Sequence, residues 1–115
     1  MKKAIYKLNV ECGRSGELEG VFVATKEQVE KLISSKIEVY FGEVLGKHSE
    51  IYGAIEQHEV IFLTDSEEAV RVVEDYGLSN GFKPFDYTSV NFKADFDTDD
   101  ITVGEIIDKL LESEN

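Results

Sequence analysis

The chain has 115 residues, of which 42% are hydrophobic and 31% charged, and this composition predicts one folded domain over residues 1–115. Its longest apolar runs have four residues, whereas a membrane-spanning helix needs about 20. The basic N-terminus lacks the apolar stretch of a signal peptide, and one cysteine cannot form a disulfide framework. With neither feature of a secreted protein, we expect a cytoplasmic one. A formal net charge of −12 disfavours nucleic acids and anionic membranes as partners.

The N-terminal part of the chain predicts two strands joined by a turn. Residues 4–12 alternate between apolar and polar side chains, the pattern of a half-buried strand, and this alternation places Cys12 on the buried face. Residues 13–16 have the Gly and Ser content of a turn, and residues 18–24 follow as the second strand.

Three helices are predicted by pairs of residues that form capping boxes. Thr25, Asp65 and Thr102 each stand three residues before Gln or Glu, so that the two side chains satisfy backbone N–H groups at a helix start. Apolar residues then recur at helical spacing in each segment and predict the buried stripes. They are Val29, Leu32 and Ile33; Ala69, Val72, Val73 and Tyr76; and Val103, Ile106, Ile107, Leu110 and Leu111.

The remaining apolar segments predict four more strands. Residues 37–44, 50–56 and 59–63 are separated by short connections, which favours an antiparallel meander, and residues 89–96 alternate as a sixth strand. The predicted order is ββαβββαβα. We therefore expect an α+β fold with a mainly antiparallel sheet of about six strands and three helices packed mainly on one face.

The acidic residues are concentrated in the second half of the chain. Residues 1–58 have a net charge of −1, and residues 59–115 have a net charge of −11. Such a field attracts cationic partners and accelerates their association at low salt, although an acidic surface also serves solubility alone.

The densest acidic segment contains Asp95, Asp97, Asp99 and Asp100. It begins like a calcium-binding loop, but Asp100 replaces the required Gly and Ile106 replaces the closing Glu, so no metal site is predicted. We interpret these aspartates as a face for a basic partner. Phe82 and Phe85, in the loop at residues 81–87, either anchor that partner or pack back onto the sheet.

A second set of residues offers groups for a small anionic ligand. Lys47, His48 and Ser49 stand at a predicted hairpin tip, and Arg14 and Tyr52 are further candidate contacts. The segment is not a phosphate-binding loop, because only three residues separate Gly42 from Gly46 and no helix follows. With no cofactor motif, the alternative function is binding of a nucleotide or another anionic metabolite.

Residues 40–50 and 81–87 resemble segments of small uncharacterised proteins of bacteriophages and bacterial mobile elements. The resemblance covers about a third of the chain and names no site residues. It implies a setting in which small acidic proteins bind and disable host enzymes.

The sequence contains no catalytic constellation above chance, so the leading hypothesis is a non-enzymatic protein that binds a basic protein. An enzyme with a site assembled from dispersed residues is a weaker alternative. A homodimer, formed through a strand edge or the third helix, stays open.

Overall fold

The computed structural model describes residues 2–12, 16–42, 50–90 and 101–113. Within these residues the chain forms three α-helices and two antiparallel sheets that contain seven strands in total. This architecture confirms the predicted α+β fold and has one strand more than the predicted six. In chain order these elements are β1 (Lys3–Glu11), β2 (Glu17–Thr25), α1 (Lys26–Ser34), β3 (Glu38–Gly42), β4 (Ile51–Ala54), β5 (Val60–Thr64), α2 (Glu67–Asp75), β6 (Asn80–Gly81), β7 (Thr88–Ser89) and α3 (Val103–Ser113).

The strands divide into two sheets, in the orders β5-β1-β2-β6 and β4-β3-β7. The predicted meander is therefore wrong in its last step, because β5 pairs with β1 and not with β4. Buried Ile55 and the 3-10 turn Gln57–Glu59 carry the chain from one sheet to the other. Strand pairing of this kind depends on contacts between distant residues, which a pattern of short connections does not reveal.

One face of the larger sheet forms the main core. Tyr6, Leu8 and Phe22 cluster there with α1 and α3, whose predicted apolar stripes are confirmed. The side chain of Thr25 accepts a hydrogen bond from the Gln28 N–H at 3.1 Å, as the capping box predicted. The N-cap of α2, in contrast, is one residue later than predicted, because the hydroxyl of Ser66 accepts from the backbone of Ala69.

Helix α2 lies on the opposite face of this sheet, so two of the three helices share one face, in agreement with the predicted packing mainly on one face. It contacts β1 and β2, and Glu74 pairs with Lys3 of β1 at 2.9 Å. Lys3 and the buried Ile5 share a face because side chains alternate along a strand. The predicted stripe is therefore only partly buried: Ala69 and Val73 are half-buried, Val72 and Tyr76 are exposed, and the buried residue of the helix is Val70, which was not part of the prediction. Two apolar rows on one short helix permit two packings, and the sequence pattern does not choose between them.

Strands β2 and β6 approach closely at a pair of glycines. Gly20 lies opposite Gly81, and a Cβ atom on Gly20 would overlap the backbone of Phe82. Gly81 has φ +69°, a conformation that favours glycine. These glycines fix the start of the loop that leads to β7.

The predicted sixth strand overlaps β7 only at Ser89, since residues 91–100 lie outside the described part of the chain. None of the helices within the described residues is long and apolar enough to cross a membrane.

Candidate interaction surface

Most of the residues predicted to form a site lie outside the described residues. This set comprises Asp95, Asp97, Asp99 and Asp100 of the acidic segment and Arg14, Lys47, His48 and Ser49 of the alternative ligand site. Phe82, Phe85 and Tyr52 are described.

Phe82 and Phe85 are half-buried and pack against the core. The ring of Phe85 contacts Phe22 at a centroid distance of 5.7 Å, and the ring of Phe82 contacts Phe41 at 6.0 Å. Between them Pro84 is fully buried. These contacts favour the packing alternative for both rings, since a ring held by the core offers little surface to a partner.

Tyr52 is 56% exposed on β4, at the edge of the smaller sheet. It lines a cavity of about 290 Å³ together with Cys12 and Phe41. Cys12 is half-buried there, in partial agreement with its predicted place in the core. Burial, together with the charge of Glu59, raises the pKa of the Cys12 thiol. A raised pKa disfavours the thiolate, so this cysteine is poorly suited to nucleophilic chemistry.

One cluster in the described part of the chain has side chains of metal-ligand type. Ligand atoms of Glu56, His58 and Glu59 all lie within 4.8 Å of one another around the turn before β5. Glu59 Oε1 already accepts a hydrogen bond from the backbone N–H of Glu56 at 2.8 Å, and Glu56 and His58 are exposed. The two carboxylates thus have a structural role in shaping this turn.

A groove of about 900 Å³ runs between α1 and β5. Its apolar walls include Tyr6, Val29 and Phe62. Both of its lysines lie near carboxylates, with Lys2 Nζ 3.6 Å from Asp65 and Lys26 Nζ 3.9 Å from Glu30. The groove is therefore apolar in its walls and has no surplus of positive charge.

Strand β5 exposes three consecutive large hydrophobic side chains. Ile61, Phe62 and Leu63 have exposed fractions of 43%, 55% and 48%. Ile61 lies opposite Lys7 and Phe62 opposite Tyr6, so the two point to opposite faces of the sheet. Both faces of this edge strand are consequently apolar and open to solvent.

Helix α2, which packs on the sheet face that Ile61 shares, exposes further apolar side chains on its outer side. Val72 is exposed, and Tyr76, one helical turn further, is exposed by 76%. Glu68 lies one turn before Val72 on the same row, because residues four apart are neighbours on a helix. We call the exposed Ile61, Phe62, Leu63, Val72 and Tyr76, with the acidic residues around them, the β5–α2 surface.

The segment that forms the β5–α2 surface is strongly acidic. Residues 56–76 contain seven acidic side chains and one basic side chain, a net charge of −6, which is half of the chain's −12. Asp65, Glu67 and Glu68 are exposed at the junction of β5 and α2. Lys2 and Lys3 neutralise part of this field through Asp65 and Glu74. The segment therefore combines exposed apolar side chains with acidic ones that precede, separate and follow them in the sequence, and we call these acidic residues the acidic border.

One feature of the sequence points to this surface. The four-residue run at 60–63 is one of the two longest apolar runs and is followed by three acidic residues within five positions. The pattern of short connections predicts this run as the last strand of a meander beside residues 50–56, whereas in the described part of the chain it pairs with β1 at one end of the larger sheet.

Comparisons with protein-family models, with curated proteins and with solved structures give no match to this chain.

Proposed function

We propose that this chain is a non-enzymatic binding protein that engages a basic protein through the β5–α2 surface. The observation that carries the proposal is the concentration of exposed large hydrophobic side chains on β5 and α2. Of the eight such residues in the described part of the chain, six lie between Ile61 and Leu78. Exposed large apolar side chains that are concentrated in one part of a protein typically mark an interaction site, whereas singly scattered ones are ordinary.

The charge around this patch defines the class of partner. An apolar centre supplies binding energy by desolvation, and the acidic border favours partners of opposite charge and accelerates their encounter. A basic protein meets both requirements. The resemblance of residues 40–50 and 81–87 to phage proteins adds the proposal that the partner is a host or defence protein that this chain inhibits.

We also propose that the aspartates at 95, 97, 99 and 100, which lie outside the described residues, contribute to binding the basic partner. They continue the excess negative charge of the second half of the chain. Their contribution is tested separately from that of β5 and α2, by the triple variant Asp97→Asn, Asp99→Asn, Asp100→Asn.

The test compares two exposed aromatic residues on edge strands of different sheets. Phe62 and Tyr52 are exposed to nearly the same extent, 55% and 56%, so Phe62→Ser and Tyr52→Ser remove similar surface. The immobilised protein and both variants are incubated at low salt with a lysate of the source cells, and retained proteins are identified by mass spectrometry. We expect a basic protein that is retained by wild type and by Tyr52→Ser but lost with Phe62→Ser.

A second pair of variants tests the acidic border. Asp65→Asn, Glu67→Gln, Glu68→Gln removes three charges beside β5, and Glu11→Gln, Glu17→Gln, Glu112→Gln removes three exposed charges elsewhere. Only the first set is expected to weaken retention and to flatten its salt dependence. Equal retention by all variants would contradict the proposal.

Binding of an anionic metabolite is the alternative proposal, and the described residues give it less support. Of its five candidate residues only Tyr52 is described, and the larger groove has two lysines against Glu27, Glu30 and Asp65. A thermal-shift screen against nucleotides tests it. Saturation at 100 times Kd would add about 2.7 kcal/mol of stability, a shift of several degrees.

A further inference from the structure

We infer that the basic partner binds by strand addition, with an extended segment pairing along the outer edge of β5. The inference rests on the proposed function and specifies how the partner is held. It concerns the backbone of Val60–Thr64 as well as the exposed side chains.

The edge of β5 has the composition of a strand that accepts a partner. Among the strands that the structure describes, β5 pairs only with β1. Its residues, Val-Ile-Phe-Leu-Thr, include no charge and no proline. Edge strands usually carry charged residues or proline, which prevent pairing with other chains, because the outward N–H and C=O groups of an edge strand are a ready template. A register shift opposite Ile5 and Tyr6 leaves Val60–Phe62 as the regular part of this edge.

The side chains on either side of β5 fit an added strand. Val60 and Phe62 both line the groove of about 900 Å³ beside α1. Ile61 points to the other face of the sheet and is itself exposed. Every second side chain of an added strand would therefore meet the groove, which selects apolar residues at alternate positions.

Charge at the two ends of β5 selects a cationic segment. Glu56 and Glu59 precede the strand, and Asp65, Glu67 and Glu68 follow it. Basic residues at both ends of an added segment would lie near these carboxylates.

A second copy of this chain fits the edge poorly for the same reason. Two β5 strands paired about a two-fold axis are antiparallel, so the end near Glu59 of one copy meets the end near Asp65 of the other. Carboxylates would then oppose carboxylates at both ends, and directly opposed like charges destabilise strand pairing.

The test uses the full chain and an acetylated, amidated nonapeptide, Lys-Arg-Val-Thr-Val-Thr-Val-Arg-Lys, measured by calorimetry and by NMR amide exchange. Two further peptides carry N-methyl groups, one on its three valines and the other on its two threonines. Alternate N–H groups of a strand point to opposite edges, and only one edge can pair with β5. We expect one methylated peptide to bind at least about tenfold more weakly than the parent and the other to bind within about threefold.

Amide exchange provides the second measurement. Strand addition slows exchange of outward amides within residues 60–64 when the parent peptide binds, whereas docking through side chains leaves them unchanged. Strand addition is overturned if both methylated peptides bind as tightly as the parent, or if these amides gain no protection. It is also overturned if the parent peptide fails to bind while retention of a basic protein still depends on Phe62. The proposed function is tested independently of these results, by the comparison of Phe62→Ser with Tyr52→Ser.

Discussion

Tyr6 and Phe62 lie opposite each other across β1 and β5 with their ring centroids 5.8 Å apart and their planes at 76°, yet Tyr6 is 6% exposed and Phe62 is 55% exposed. One ring belongs to the core, and the other rests against the core by one side only. The boundary between core and solvent therefore runs between these two residues, and Phe62 is held in place while half of its surface stays open.

This arrangement predicts unequal costs for two Phe→Ala variants on either side of Tyr6. Phe22 stacks on Tyr6 at 5.8 Å and is 3% exposed, so Phe22→Ala should lower the free energy of unfolding by about 3–5 kcal/mol. Phe62→Ala removes a half-exposed ring and should cost about 1 kcal/mol. Urea denaturation of both variants measures the difference. Equal losses would show that Phe62 is a core residue and not an exposed one.

Local features of the fold were predictable from the sequence because their causes are local. The Thr25 cap and the buried stripes of α1 and α3 depend on residues three or four positions apart. The pairing of β5 with β1 depends on residues more than 50 positions apart, such as Leu8 and Val60. Two similar apolar strands offer the same pattern to either neighbour, so composition and spacing could not assign this pairing.

The glycine pair at β2 and β6 predicts a steric effect of a small substitution. Gly20→Ala places a Cβ atom against the backbone of Phe82 and should lower the free energy of unfolding by about 1–3 kcal/mol. Glu19→Ala changes the adjacent exposed residue on the other face of β2 and serves as the control. Thermal denaturation should show a lower Tm for Gly20→Ala than for Glu19→Ala. A Gly20→Ala protein of full stability would contradict the close approach of the two strands.

The capping box of α1 predicts a stability loss without a change in the core. Thr25→Ala removes the acceptor of the Gln28 N–H and should cost about 1 kcal/mol. Ser34→Ala removes an exposed hydroxyl near the end of the same helix, which donates a long 3.5 Å hydrogen bond to the Lys31 carbonyl, and should be nearly neutral. Chemical denaturation midpoints separate the two. Equal midpoints for both variants would argue against the cap.

Two tyrosines and one cysteine that are buried or half-buried predict a loss of stability at alkaline pH. Burial raises the pKa of Tyr6 and Tyr87 above the ordinary 10.0 and that of Cys12 above 9.0, with Glu30, Asp86 and Glu59 respectively adding to the rise. The unfolded chain then loses these protons at lower pH than the folded protein. The associated stability is complete below pH 9 and declines as the pH rises through the folded-state values.

Thiol reactivity checks the Cys12 part of this prediction directly. At pH 8 the folded protein should react with Ellman's reagent more slowly than the protein unfolded in urea, because less thiolate is present and the sulfur is half-buried. Equal rates in the two states would contradict the raised pKa. The Tyr6→Phe and Tyr87→Phe variants should flatten the alkaline decline in unfolding free energy.

The sequence predicts the acidic character of the candidate surface but not which of its aromatic residues are exposed. The excess of acidic residues after position 58 is a property of composition and needs no fold to be seen. Which aromatic residues are exposed is a property of packing. Phe82 and Phe85 stand in a loop rich in turn residues and yet contact Phe41 and Phe22, whereas Phe62 stands in an apolar run and is open to solvent.

Photo-crosslinking from position 62 tests the central claim most directly. p-Benzoylphenylalanine replaces Phe62 in one protein and Tyr52 in another, and both are irradiated in source-cell lysate at low salt and at about 0.5 M salt, where the screening length is only a few ångströms. We predict a crosslinked basic protein from position 62 at low salt, a weaker product at high salt and no such product from position 52. The same products from both positions, or none from position 62, would contradict binding through the β5–α2 surface.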